Sequence, residues 1–263
     1  MQSKGVINIV LQANKKVYFA SDFHLGAPNK EQSLVREKKI IRWLDSIKED
    51  AAAIFLVGDL FDFWHEYKTT IPKGFIRFQG KLAELVDANI PIYIFTGNHD
   101  MWMFGYFTEE LGIPVYRKPQ EVLINETNIL VGHGDGLGPG DNKYKILKKV
   151  FENKLCQWAF RWLHPDLGIA IANKWSSNSR ASSTNESTEK FLGEGEWLWT
   201  YAKEVEEKKH HDCYIFGHRH LPIDVPVGER SRYINLGEWI NYFTFATFDG
   251  KDFALEEFNH ENE

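Results

Sequence analysis

Residues 16–26 read Lys-Val-Tyr-Phe-Ala-Ser-Asp-Phe-His-Leu-Gly. The apolar and aromatic run through Ala20 has the composition of a buried strand, and it stops at Ser21, directly before Asp22 and His24. The same pattern returns four times. AAIFLVGD ends on Asp59, PIYIFTGNHD on Asn98, His99 and Asp100, NILVGHGD carries His133, and CYIFGHRH carries His218 and His220. Strands that are apolar throughout are buried on both faces, and polar residues at their C-terminal ends are where open α/β sheets collect ligands. Between the first three runs, residues 31–49 space Leu34, Ile40, Ile41, Leu44 and Ile47 as a helix face, and residues 72–88 do the same with Phe75, Phe78, Leu82, Leu85 and Val86. Strand alternating with helix predicts parallel pairing through right-handed crossovers.

Outward from this core the pattern changes. Residues 142–209 read as helices, with Ile146, Leu147, Val150, Leu155, Trp158, Ala159 and Trp162 on one apolar face, interrupted by the polar string SSNSRASSTNES at 176–187. Because CYIFGHRH then resumes the strand pattern, this region is expected as a helical lid inserted in a single domain spanning 1–263. The last segment, NYFTFATFDGKDFALEEF, alternates and is expected to turn as a hairpin at Asp249-Gly250.

A chain of 263 residues with 43% hydrophobic and 26% charged residues lies in the ordinary globular range and can bury one large core. Its formal charge of −6 weighs against a broad, nonspecific grip on nucleic acid, which needs a basic surface. No apolar run approaches the ~18 residues of a membrane span, and the opening MQSKGVINIV lacks the features of a signal peptide, so a cytoplasmic location is expected. Cys156 and Cys213 form no framework and are expected to be buried, reduced thiols.

The strand-end residues Asp22, His24, Asp59, Asn98, His133, His218 and His220 are oxygen and nitrogen donors with no thiolate among them. They are too many for one divalent ion and suit two, with water completing the shells. Residues two apart on a strand leaving a sheet point the same way, which predicts that Asp22 with His24, and His218 with His220, each clasp an ion. Taken singly, a GD after a strand is more often a turn. Five such pieces at successive strand ends are not independent accidents. His65, His164, His210, His211 and His260 are expected as surface or packing residues, with His65 left open because it lies close to Asp59.

The order D-x-H, GD, GNHD, GHGD, GHxH resembles the calcineurin-like metallophosphoesterase superfamily over residues 22–220. Within it, SDFHLG, GDLFDFW and the helical insertion resemble the UDP-2,3-diacylglucosamine diphosphatase family of lipid A biosynthesis. The resemblance implies an α/β fold, an αββα two-sheet sandwich with a helical lid. It implies two divalent ions, manganese first and iron or zinc as alternatives, with Asp22, His24 and His220 on one, Asn98, His133 and His218 on the other, and Asp59 bridging. A metal-activated water would split the pyrophosphate of UDP-2,3-diacylglucosamine into UMP and 2,3-diacylglucosamine 1-phosphate. His99 would assist the leaving oxygen, with Asp100 orienting it, and Asn98, His99, Asp141, Ser179 and His218 would touch substrate.

The sequence departs from the best-known branch, which has an arginine at the position of His99; imidazole, unlike guanidinium, can give up its proton. Ser183 and Glu186 also stand where an asparagine and a lysine are expected. A phosphodiesterase or phosphomonoesterase acting on a soluble substrate is the alternative. A metal-free scaffold, as in the retromer subunit of similar fold, is disfavoured because every ligand type is present. The implied partners are a lipid-linked sugar nucleotide and the cytoplasmic surface of the inner membrane, with no nucleic acid. Trp158, Phe160, Trp162, Trp175, Trp197 and Trp199 would line an acyl groove or rest on that surface, or else pack the insertion onto the sheet.

Overall fold

The computed structural model describes residues 5–139, 142–172 and 190–259. Twelve strands alternate with helices. In chain order the strands are β1 (Ile7–Ile9), β2 (Lys16–Ala20), β3 (Ala51–Val57), β4 (Ile92–Phe95), β5 (Val115–Tyr116), β6 (Gln120–Ile124), β7 (Thr127–Gly132), β8 (Cys213–Phe216), β9 (Pro222–Val227), β10 (Ser231–Leu236), β11 (Thr244–Phe248) and β12 (Phe253–Glu257). They form two six-stranded sheets, ordered β12-β11-β2-β3-β4-β5 and β1-β6-β7-β8-β10-β9. The run β2-β3-β4-β5 is parallel, as the strand–helix alternation requires, and the β11–β12 hairpin adds antiparallel to the free edge of β2.

Alternation along each strand divides the core. Val17, Phe19, Ala53, Phe55 and Val57 of the first sheet meet Val122, Ile129, Val131, Ile215 and Ile234 of the second. Their neighbours Tyr18, Ala20, Ile54 and Leu56 face the other way, against helices α1 (Lys30–Ile47) and α2 (Ile76–Asp87), with Trp43, Phe78 and Trp239. Asn29 caps α1 by accepting the Gln32 N–H at 2.9 Å. Phe75, at the N-cap of α2, offers no capping side chain, so Glu37 of α1 supplies the acceptor for the N–H groups of Arg77 and Phe78, at 3.0 Å each.

A short helix, α3 (Tyr106–Leu111), precedes β5; after β7 come α4 (Asn142–Glu152), α5 (Lys154–Arg161), helical residues 165–172, and α6 (Trp197–Glu206). They do not behave as one unit. Leu198 and Ala202 of α6 are fully buried against Tyr214, Phe216 and Tyr233, and Trp197 and Trp199 join that cluster, so α6 is the outer layer of the second sheet. On α4 and α5, by contrast, Ile146, Val150, Leu155, Trp158 and Trp162 are exposed, Trp162 to 75%. Cys213 is buried as expected, but Cys156 is not: it lies on this outward-facing stretch and is exposed. Asp141 and Ser179, like Trp175, Ser183, Glu186 and His260, lie outside the described residues. Among the described residues, no helix is long and apolar enough to cross a membrane.

Candidate metal centre

The C-terminal ends of β2, β3 and β4 in one sheet, and of β7 and β8 in the other, open onto a common edge of the sandwich. The backbone there is unusual. Asp22, His24, Asp59, His218 and His220 all have positive φ, at 55°, 43°, 51°, 68° and 58°. Non-glycine residues in that region cost of order 1–3 kcal/mol each and persist only where the surroundings hold them. Here backbone bonds do so: Asp22 N–H donates to Gly58 O at 3.0 Å, His24 N–H to Asp59 O at 2.9 Å and Trp239 N–H to Asp22 O at 3.1 Å. The guanidinium of Arg36 ties down the carbonyls of Phe23 and His24 at 2.7 and 2.6 Å. Strand alternation is therefore not what pairs these residues. β2 ends at Ala20 and β8 at Phe216, and left-handed turns at every second residue beyond them aim the ligands: Asp22 and His24 reach one group, but His218 and His220 do not clasp one ion as expected and turn to different groups.

The side chains converge in two groups that share Asp59: Asp22, His24, Asp59 and His220 have ligand atoms within 4.8 Å of one another, and so do Asp59, His133 and His218. His220 Nε2 lies 3.1 Å from both Asp22 Oδ1 and His24 Nε2. His133 Nε2 lies 3.3 Å from Asp59 Oδ2 and 3.3 Å from Asn98 Oδ1, which brings Asn98 to the second group. The Nδ1 of His133 faces the Val57 carbonyl at 2.9 Å, so Nδ1 keeps its proton when the ring is neutral and Nε2 is the atom presented to the cluster. Gly97 and Gly58 make this density attainable. A Cβ at Gly97 would stand 2.2 Å from Asp59 Oδ1, and one at Gly58, whose φ is +87°, 2.6 Å from His133 Nδ1.

The electrostatics call for a cation. Burial works against ionised carboxylates, yet His133, His99 and His24 hold Asp59 well below the ordinary range, and His220 does the same for Asp22. Burial also opposes protonated histidines, but the surrounding carboxylates push His24 and His133 up to about 10, while burial and the His133 charge push His218 down to about 4. Asp22 Oδ1 and His24 Nδ1 are buried without a hydrogen-bond partner. Converging carboxylate and imidazole lone pairs with no thiolate are the donor set of divalent cations that favour oxygen and nitrogen, so the residues present suit such an ion.

His99 flanks the first group, its ring 4.9 Å from that of His24. Its Nδ1 lies 3.1 Å from the Asp62 carbonyl and 3.9 Å from Asp62 Oδ1, and burial lowers its pKa below the usual value. Asp100 is bonded to the backbone of the neighbouring loops. Its fully buried carboxylate accepts the N–H groups of Gly97 and Leu60, each at 2.7 Å, joining the two loops that carry Asn98 and Asp59. Burial and the Asp59 charge raise its pKa to about 7. The acid at the His99 ring is Asp62, which also lies 3.6 Å from His24 Nδ1; the second aspartate of GDLFDFW was the available signal for it. Arg219, between the two histidines of GHRH, pairs in the interior with Glu196 at 3.1 Å and so ties that loop to the start of α6.

A family model described as calcineurin-like phosphoesterase matches residues 15–222. A UDP-2,3-diacylglucosamine hydrolase of Porphyromonas gingivalis is 36% identical over 253 residues, which is 92% of this chain and 97% of that one. Another, of a Shewanella species, is 25% identical over 85% of this chain and 90% of that one. Among solved structures, Vacuolar Protein Sorting 29 of Cryptosporidium parvum aligns with a TM-score of 0.46 at 13% identity, covering 95% of this chain and all of that one. Clustered aspartate and histidine ligands on a two-sheet α/β sandwich agree with what the family model and the 36% relative indicate. The chain belongs to the calcineurin-like phosphoesterase family.

Proposed function

We propose that this enzyme hydrolyses the pyrophosphate bond of UDP-2,3-diacylglucosamine, releasing UMP and 2,3-diacylglucosamine 1-phosphate, at a centre of two divalent ions, manganese by preference. The observation that carries this reading is that one carboxylate, Asp59, belongs to both ligand groups. Asp22, His24 and His220 would hold one ion and Asn98, His133 and His218 the other, with Asp59 common to both. Ions held there supply Lewis acidity and an activated water to phosphoester hydrolysis.

The protein's own groups do the rest. The Asp62 carbonyl beside Nδ1 of His99 leaves Nε2 as the atom that meets the leaving oxygen, where a proton or hydrogen bond is typically worth ~10²–10⁴ in rate. Asp100 keeps the Asn98–His99 turn against Asp59. Asn98, His99, His218, Asp141 and Ser179 are proposed to touch substrate. The exposed apolar face of α4 and α5 supports an acyl-binding lid that rests on the cytoplasmic surface of the membrane, since each methylene it buries contributes ~0.8 kcal/mol.

The test combines metal analysis of the purified protein with mass spectrometry of products after incubation with UDP-diacylglucosamine and Mn²⁺. Two ions per chain and release of UMP are expected. Fewer than one ion per chain, or no UMP, overturns the reading. Hydrolysis of bis(nitrophenyl) phosphate without release of UMP would move the assignment to a soluble phosphodiester.

A further inference from the structure

Helix α4 touches both halves of the metal centre. Near its start Tyr144 Oη donates to Asp135 Oδ2 at 2.8 Å, and one turn later Lys148 Nζ donates to the same oxygen at 2.6 Å and to the Asp135 carbonyl at 3.0 Å. Lys145 Nζ adds a bond to the Gly138 carbonyl at 2.6 Å. Asp135 is buried and stands two residues after His133, at the end of β7. At the other end of the helix, Trp102 Nε1 donates to the Phe151 carbonyl at 3.0 Å, and the two rings meet edge-on at 5.6 Å. Trp102 stands three residues after His99, in the loop that leaves β4, and that loop is bonded to its neighbour through Trp64 N–H to His99 O and Glu66 N–H to Trp102 O.

These attachments supplement a thin hydrophobic seat. Ile146 and Val150 of α4 face solvent, and on its inner face Tyr144, Leu147 and Phe151 are only half-buried. Tyr144 and Lys148 are four apart and share a face, which aims both at one carboxylate. The Phe151 carbonyl is among the last four of the helix, which are bonded from outside it, and it accepts both from the Trp102 indole and from Gln157 Nε2, the latter at 2.9 Å. The anchors also lie on different sheets, β4 in one and β7 in the other. Besides side-chain packing and direct bonds such as His133 Nδ1 to the Val57 carbonyl and the His218 N–H to Asp22 Oδ2, a rigid helix, with about 10 Å between Tyr144 and Phe151, spans the sheets at this mouth through polar clamps.

We propose that α4 is a strut that sets the spacing between the loop carrying Asn98 and His99 and the loop carrying His133, with Asp135, Tyr144, Lys148 and Trp102 as positioning residues. The kinetic arm of the test rests on the phosphoesterase reading; the exchange arm does not, so failure of one can be told from failure of the other. Tyr144→Phe removes one hydroxyl from a partly exposed position. In the full-length protein it should raise amide hydrogen exchange about fivefold in residues 133–138 and, at the far end of the helix, in residues 98–104. Trp102→Phe should produce the mirror result. With bis(nitrophenyl) phosphate, each variant should lower kcat about fivefold at unchanged KM. Adding Trp102→Phe to Tyr144→Phe/Lys148→Met, which removes both side-chain attachments to Asp135, should cost little more than either change alone, because a strut freed at one end has already lost its function, whereas independent sites this far apart multiply their effects. Faster exchange confined to the mutated end, or multiplicative losses in kcat, overturns the strut. If Trp102→Phe does not fold, Lys148→Met paired with Tyr144→Phe and exchange at residues 98–104 decide the same question.

Discussion

Six of the eight buried side-chain polar atoms without a hydrogen-bond partner among the described residues fall in two places, and the two are of opposite kinds. At the strand ends Ser21 Oγ, Asp22 Oδ1 and His24 Nδ1 stand among carboxylates and imidazoles that converge. At the contact between α5 and the body, both nitrogens of His65 and the hydroxyl of Tyr67 stand among rings: Tyr67 at 4.5 Å from the imidazole, Phe160 at 4.9 Å, Trp102 at 5.1 Å and Phe104 at 5.9 Å. An unpartnered atom in the first place awaits a cation. In the second it costs free energy and gains no ion, since a buried polar group left unbonded is worth about 1–3 kcal/mol of instability. Burial without a partner does not identify a site; opposite charge and convergence do.

Four substitutions test that contrast, beginning at the convergent end. Asp59→Asn keeps the shape but removes the charge shared by both ligand groups, so metal content and hydrolysis should fall together, the latter by several orders of magnitude. Unchanged metal content with normal turnover would abolish the distinction between the two regions. His99→Ala should keep its metal and lose ~10²–10⁴ in rate on a poor leaving group, and much less on a nitrophenyl ester, which needs no proton. Loss of metal in that variant, measured by elemental analysis, would make His99 a ligand.

A smaller effect is expected from Asp62→Asn. The carboxylate lies near both His24 Nδ1 and the His99 ring, and substitution of groups behind metal ligands typically costs ~10–100-fold in affinity or activity, so a metal titration and a rate should both move. The smallest effect has the opposite sign. His65→Leu should stabilise the fold by about 1 kcal/mol or more in urea unfolding, because it replaces an unbonded imidazole in an aromatic box. Burial and the Arg161 charge push that imidazole from its ordinary 6.5 down to about 4. Between those values the unfolded chain binds a proton that the folded one refuses, so His65 subtracts stability progressively as pH falls from 6.5 toward 4. The variant's unfolding midpoint should fall less over that window. A variant no more stable than its parent would mean that ordered water satisfies the imidazole.

The strand ends were legible because a strand buried on both faces must be apolar throughout, which makes the first polar residue after it conspicuous. Asp22, Asp59 and His133 stand out for that reason. How they are aimed was not legible: local spacing suggested strand alternation, and the actual device is a left-handed turn at each ligand, imposed by bonds from distant residues such as Arg36 and Trp239. Asp62 and Asp100 illustrate the same limit. Both are aspartates three or fewer residues from a strand-end ligand, and only the path of the loops decides which one meets the His99 ring. Helix α6 read as part of a lid because its aromatic residues suit either a groove or a core, and the sheet it covers comes later in the chain. Cys156 was misread because an amphipathic pattern does not say whether its apolar side is covered.

The hairpin on the edge of β2 has a consequence for synthesis. β2 pairs with β3 soon after both emerge, but its other edge waits for Thr244–Phe248, more than two hundred residues later. At ~5–20 residues per second, roughly 10–45 s pass on the ribosome before that partner exists, and pairings of such long range are also slow to form. Until then an apolar strand with Val17 and Phe19 offers an open ladder of N–H and C=O groups, the feature by which strange chains associate. The nascent chain is therefore vulnerable to aggregation until the β11–β12 hairpin has been made.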